Sequence, residues 1–147
     1  MTKYPVDVPV DDEIKDFIHQ FYILSDTPNV SEEYVNNFTN DARAVFGPVT
    51  CEGHEAIRRA RELSWANENV LSRCHVVDEV FPFGKDCNEA MLRGTVELVL
   101  KVGQPMSLMW SARAAYVKEG DQIKMRFYQV YLVRELLPPV FLYYVIT

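Results

Sequence analysis

The sequence lacks most of the features that announce a partner. No uninterrupted apolar run is long enough to cross a bilayer; Pro138 to Thr147 (PPVFLYYVIT) comes nearest and is too short. No membrane partner is therefore expected. Basic charge is scarce: 15 Lys and Arg against 21 Asp and Glu leave a net charge of -6, the wrong sign for a nucleic-acid surface. Cysteine is sparse. Cys51, Cys74 and Cys87 are odd in number and form no CxxC, which reads as reduced thiols in a cytosolic protein, with Cys74 a buried small hydrophobe. Cys51 and His54 are the one close pair of ligand types, too few for zinc, so no metal is expected. The stretch MTKYPVDVPVDDE has no apolar h-region, so no signal peptide is expected. Without secretion, the sequons at Asn29-Val30-Ser31 and Asn37-Phe38-Thr39 carry no weight. There is no repeat and no low-complexity segment.

What remains is ordinary globular composition, 48% hydrophobic and 24% charged over 147 residues, enough for one domain with a real core. Residues 1–10 read as an arm, 11–135 as the domain and 136–147 as an apolar extension. From Asp11 a helical period begins: Ile14, Phe17, Ile18, Phe21, Tyr22 and Ser25 share one face. Asp11 or Asp12 suits its start, and Asp26-Thr27-Pro28-Asn29 ends it. Ser31 opens a second short helix, SEEYVNNF. A strand, Ala42 to Pro48, and a shorter one around Val49 to Cys51 follow. Gly53 opens a third helix, HEAIRRARELSWANE. Its charged face carries Arg58, Arg59, Arg61 and Glu62, and its inner stripe is Ala56, Ile57, Ala60, Leu63 and Ser64.

The period then changes to two. Four long strands are expected: Ser72 to Phe83, Glu89 to Lys101, Met106 to Lys118 and Gln122 to Val133. Their turns are Gly84-Lys85-Asp86, Gly103-Gln104-Pro105 and Glu119-Gly120-Asp121. Short connections imply an antiparallel meander. The fold class is α+β: three N-terminal helices packed on a curved, mixed, mostly antiparallel sheet, a cone-shaped barrel. Alternation places Leu92, Gly94, Val96, Leu98, Trp110, Ala112 and Ala114 inside. In the last strand it places Ile123, Met125, Phe127, Gln129 and Tyr131 inside. The outer face keeps Met91, Val99, Met109, Tyr128, Val130 and Leu132, apolar enough to predict a homodimer packed through that face.

This order of elements resembles the nuclear transport factor 2-like fold, and within it the SnoaL-like group. The resemblance rests on the helix ending Tyr22-Ile-Leu-Ser-Asp26 and the strand-turn AVFGPVTCEGHEAI. It rests also on Ser72-Arg-Cys-His75 and a last strand of the type IKMRFYQVYL. It covers roughly residues 11 to 134 and is closest to small fungal members associated with secondary metabolism. It implies a cone-shaped, largely apolar cavity for a small molecule, and cofactor-independent chemistry of the isomerase, dehydratase or cyclase kind. The same fold also hosts non-catalytic binding and dimerisation modules.

On that basis the expected walls are Phe17, Phe21, Phe38, Phe46, Trp65, Trp110 and Phe127, which could equally fill the core. Asp26 and His75 are the candidate proton-transfer pair, with Tyr22 and Gln129 orienting the substrate. Asp26 is alternatively a turn residue, and His75 a core histidine satisfied by a neighbour. Scytalone dehydratase, of the same fold, resembles this chain at Asp26 and His75. This chain departs from it with Phe46 in place of a tyrosine, and with Gly94, Thr95 and Val96 where a second histidine would stand.

Overall fold

A computed structural model describes residues 1–84 and 86–132 of the chain. The extension 136–147 lies outside the described residues. Three helices and six strands follow in the order α1 (Asp12–Asp26), α2 (Ser31–Val35), β1 (Phe38–Phe46), β2 (Val49–Glu52), α3 (Gly53–Trp65), β3 (Val70–Phe83), β4 (Glu89–Leu100), β5 (Met106–Glu119) and β6 (Gln122–Leu132). The third helix therefore follows the first two strands. None of the described helices is long and apolar enough to cross a membrane.

Helix α1 buries Ile14, Ile18, Phe21 and Tyr22, the face its period predicts. Asp11 is its N-cap, although its side chain makes no capping bond. The helix stops where Pro28 pushes Thr27 out of helical geometry. The Thr27 hydroxyl then donates to the Ile23 carbonyl at 2.8 Å. Helix α2 is only five residues, shorter than its polar run suggests. Asn37 donates its side-chain amide to the carbonyls of Glu33 and Tyr34, and its own carbonyl accepts from Met125 of β6. Pairing with β6 thus captures the chain, and β1 begins at Phe38 rather than at Ala42.

The sheet order is β2-β1-β6-β5-β4-β3. Strands β3 to β6 form the antiparallel meander, while β1 runs parallel to β6 and antiparallel to β2. Six strands and the helices enclose a core whose most buried side chains include Phe21, Phe38, Ile57, Leu92 and Met125. Gly94 of β4 leaves no room for a side chain. A Cβ there would overlap the Val76 carbonyl oxygen and press on Trp110 at 2.9 Å. The arm docks at the far edge of the sheet, where Lys3 exchanges backbone bonds with Asp78 and Val80 of β3.

Three expectations are corrected. The first concerns β6. Its register against β5 slips between Ala115 and Tyr116: Ala115 faces Phe127, but Tyr116 faces Met125. Arg126 is the extra residue of a β-bulge, and one extra residue exchanges the faces of everything beyond it. Tyr128, Val130 and Leu132 therefore face inward, and Phe127, Gln129 and Tyr131 face outward. Phe127 lies under the Arg113 guanidinium, 5.1 Å from ring centroid to carbon, on the outer face. That face keeps Met91, Val99 and Met109 exposed, interleaved with the ion pairs Arg93–Glu79 and Arg113–Glu89.

The second correction concerns α3. Arg61 is 4% exposed and Leu63 is 59% exposed, the reverse of the predicted faces. Ile57, Ala60, Arg61 and Ser64 form the buried stripe, at i, i+3, i+4 and i+7. The third concerns the thiols. Cys74 is exposed, because His75 next to it points inward; Cys51 and Cys87 are the buried ones.

Candidate active site

The inner face of the sheet and the C-terminal end of α1 border a partly open cavity of about 70 Å³. Its polar wall is Ser25, Arg61, Ser64, Arg73 and His75. Tyr34, Phe46, Trp110 and Tyr128 supply aromatic surface, and Val96, Val130 and Leu132 the aliphatic remainder. The space suits a few waters or one small molecule.

Asp26, the last residue of α1, meets His75 of β3 behind this wall: His75 lines the cavity and Asp26 does not. The His75 backbone N–H donates to Asp26 Oδ2 at 2.6 Å, and the imidazole Nδ1 lies 2.5 Å from Oδ1. An ionised carboxylate only accepts, so Nδ1 donates to it, and in the neutral imidazole this tautomer leaves the lone pair on Nε2. Nε2 has no hydrogen-bond partner among the described residues. Tyr22 and Trp110 hold the ring from the side, at 5.4 and 5.8 Å between centroids. Two bonds to the carboxylate and two aromatic neighbours fix the imidazole in one orientation.

Two arginines accompany this pair. Arg61 of α3 donates to the carbonyls of Leu24 and Thr27 at 2.9 and 2.5 Å and more weakly to Ser25 at 3.5 Å. Its guanidinium lies 4.4 Å over the Tyr34 ring. Arg73 of β3 donates through Nε to the Ser25 carbonyl at 3.1 Å and through Nη1 to Ser64 Oγ at 2.7 Å, and stacks on Trp65 at 4.1 Å. Both thus occupy the orphan carbonyls at the end of α1, where the helix dipole favours cations. Burial holds the Arg73 guanidinium down to about 10, and lowers Arg61 in the same way. Burial also raises the wall phenols: Tyr34 is pushed up to about 12 and Tyr128 further. Tyr128 and Tyr22 share a hydrogen bond, oxygen to oxygen, at 3.2 Å. At neutral pH these phenols are uncharged.

The sequence-predicted residues divide as follows. Asp26 and His75 come together, and Phe46 and Trp110 lie on the wall. Tyr22 packs against His75 and Trp110 without lining the cavity itself. Phe38, like Phe21, is wholly core. Phe17 packs in the same aromatic cluster, against Phe21 and Tyr116. Trp65 faces Arg73 on one side and a separate open groove beside Asn29 and Glu32 on the other. Phe127 and Gln129 are on the outer face, because of the β6 bulge. His54 is tied to the Phe38 carbonyl at 2.8 Å, and no three metal-ligating side chains cluster among the described residues.

Arg61, Arg73, Ser64, Tyr34 and Tyr128 were missed. A signal for Arg61 existed in the i, i+3, i+4, i+7 stripe of α3. Arg73 shares its face with His75, two residues on, which alternation alone makes visible.

No protein-family model matches the sequence, and no curated protein matches it. Solved structures do. A scytalone dehydratase-like protein of Novosphingobium aromaticivorans is similar at 18% identity over 82% of each chain, with a TM-score of 0.67. Aln2 from a Streptomyces species is similar at 14% identity, over 85% of this chain and 94% of its own, with a TM-score of 0.70. A type 2 hexachlorocyclohexane dehydrochlorinase, LinA, is similar at 14% identity, over 86% and 92%, with a TM-score of 0.64. At these identities the likeness is one of fold alone: the chain shares the α+β cone fold of these proteins, as the resemblance to the nuclear transport factor 2-like fold implies.

Proposed function

We propose that the chain is a cofactor-independent lyase or isomerase that acts on a small, largely apolar molecule by acid–base chemistry at His75. The carrying observation is His75 on the wall of a partly open cavity with Asp26 behind it, Nδ1 bonded to the carboxylate and Nε2 without a partner among the described residues. In this arrangement Nε2 takes a proton from a substrate carbon or hydroxyl. Asp26 fixes the tautomer that makes this possible and stabilises the imidazolium that results. The proton then returns to another position of the substrate, or leaves with an expelled hydroxide or halide. A dehydratase-like protein and a dehydrochlorinase among the structural neighbours are both named for eliminations, which supports a lyase over a cyclase. The neutral phenols of Tyr34 and Tyr128 offer hydrogen bonds to the substrate on the same wall.

The test is turnover of a panel of small cyclic β-hydroxy ketones and acids, followed by absorbance of the conjugated product. Asp26→Asn and His75→Gln are expected to lower the rate of any active substrate by about 10²- to 10⁴-fold, the usual worth of a positioned base. Variants that stay folded and keep full turnover would overturn the assignment, and would favour a non-catalytic binding module. The exposed Met91, Val99 and Met109 support pairing of two copies through the outer face. Sedimentation of wild type against Met109→Lys tests that pairing: dissociation of a dimer is expected, and a monomeric wild type would refute it.

A further inference from the structure

Two guanidiniums, Arg61 and Arg73, line one small cavity. Each carries five N–H donors. Arg61 spends three hydrogen bonds and Arg73 two, all on neutral acceptors: three backbone carbonyls and the Ser64 hydroxyl. Neither forms an ion pair among the described residues, whereas Arg58 on the outer side of α3 pairs with both Glu32 and Glu55. The carboxylate at the site, Asp26, is already committed to His75. The lining therefore holds two guanidiniums and no carboxylate, in partly desolvated surroundings where an unbalanced charge is costly.

A second observation points the same way. Arg61 and Trp110 are each 4% exposed, and Arg61 Nε and Trp110 Nε1 have no hydrogen-bond partner. Buried donors left unpaired are rare in folded proteins. Both residues belong to the cavity wall, as do the unspent N–H groups of Arg73. Those two nitrogens have almost no accessible surface, so the donors open to a ligand are the unspent N–H groups of Arg73, and Phe46, Val96 and Val130 add apolar lining.

We propose that the ligand of this cavity is a small unsaturated or aromatic carboxylic acid, its carboxylate seated on Arg73 and Arg61 and its apolar part beside His75. The proposal rests on the reading of the cavity as the substrate site and adds the substrate's class. With Asp26 behind the lining, one further negative charge balances the two guanidiniums. A planar carboxylate matches the fork of a guanidinium, and its two oxygens accept from several donors at once. A neutral amide of the same shape brings no charge and sets its own donors against those of Arg73.

The experiment is calorimetric titration of the full chain with benzoate and crotonate, against benzamide and crotonamide, with tryptophan fluorescence as a second readout. The acids are expected to bind saturably and at least tenfold more tightly than the amides. Arg73→Met is expected to weaken acid binding tenfold or more, and Arg61→Met likewise. Should either variant fail to fold, Arg73→Lys replaces it. That substitution keeps the charge without the fork, and a severalfold loss is expected. Asp26→Asn is expected to keep acid binding or strengthen it. The proposal is overturned if neither acid binds the folded wild type, if the amides bind equally well, or if the arginine variants bind like wild type. Because acid binding is read without turnover, it is separable from the dyad's role. Acid binding retained in an Asp26→Asn protein with undiminished turnover would refute the catalytic reading and leave this one standing.

Discussion

Gly94→Ala joins the packing of the sheet to the geometry of the site. Gly94 pairs with Val77 across to β3 and with Trp110 across to β5. An added methyl would overlap the Val76 carbonyl oxygen, and would stand 3.0 Å from the Val76 carbonyl carbon and 2.9 Å from Trp110 Cζ2. Carbon atoms pack best at about 3.5–4.0 Å, so both carbon contacts are too short by half an ångström or more. Only one of the three obstacles is a side chain, and it is a ring held by Tyr22 and His75. Relief must come from the backbone of β3, at a cost of about 3 kcal/mol, the upper end for overpacking, plus a weakened ladder bond. In a chain of this length that lowers Tm by on the order of 10 °C. No residue stands between Val76 and the dyad to absorb the shift, since His75 is its immediate neighbour. The variant is therefore expected to lose the Asp26–His75 contact as well, seen as a change in the His75 imidazole resonances. Gly120→Ala is the control. Its φ of 60° strains any side chain, but a Cβ there meets nothing, so about 1 kcal/mol is expected. Urea unfolding of the three proteins decides. Gly94→Ala within about 0.5 kcal/mol of wild type, or less damaging than Gly120→Ala, would refute the reasoning.

Two further predictions concern charge. Burial holds Arg73 at about 10 against an ordinary 12.5, which corresponds to roughly 3 kcal/mol against its charged form. Arg73→Met removes that burden and forfeits two hydrogen bonds of about 1 kcal/mol each, so unfolding free energy should change by no more than about 1–2 kcal/mol, upward. A large loss in urea unfolding would mean that Arg73 chiefly holds α1 in place. At high pH the buried phenols dominate. Tyr22, Tyr34, Tyr116 and Tyr128 are all raised by burial, Tyr34 to about 12. Above pH 10 the unfolded chain releases these protons and the native chain keeps them, so stability falls by about 1.4 kcal/mol per pH unit for each. Arg73 has the opposite sign, since the native state releases its proton first, and offsets about one tyrosine. Chemical unfolding between pH 9 and 11 should show a steep net loss; stability flat across that range would refute the burial of these rings.

Most of the architecture was legible because it rests on period. The 3.6-residue stripe of α1 and the alternation of β4 and β5 place Phe21, Leu92, Val96 and Trp110 inside without help from tertiary structure. The errors came where a period breaks. Nothing local to Lys124-Met125-Arg126-Phe127 announces a bulge; the extra residue exists because Met125 must pair with Tyr116 while Phe127 pairs with Ala115. From that point the inner and outer residues of β6 exchange, so Phe127 and Gln129 could not be recognised as outer residues, nor Tyr128 and Val130 as wall. The α3 error has a different origin. Leu63 was placed inside for its hydrophobicity and Arg61 outside for its charge, against the stripe that Ile57, Ala60 and Ser64 already defined. A long side chain with an aromatic partner and helix-end carbonyls to bind tolerates burial that its charge alone would forbid.

That misplacement bears on what the site recognises. A net charge of -6 speaks for the chain as a whole, and it weighs against a polyanionic partner. It is silent about a cavity whose wall holds Arg61 and Arg73. The acidic surplus sits largely on the surface, in pairs such as Glu32–Arg58 and Glu89–Arg113, where water and salt screen it within about 10 Å. Inside the cone screening is weaker, and two guanidiniums set the local sign. If the ligand is an acid, the acidic exterior does not assist its approach, and capture depends on the last few ångströms. Raising the salt concentration should then weaken the repulsion outside more than the attraction inside, so the association rate for benzoate should rise modestly between about 20 and 200 mM salt, whereas a ligand attracted by the surface would associate more slowly.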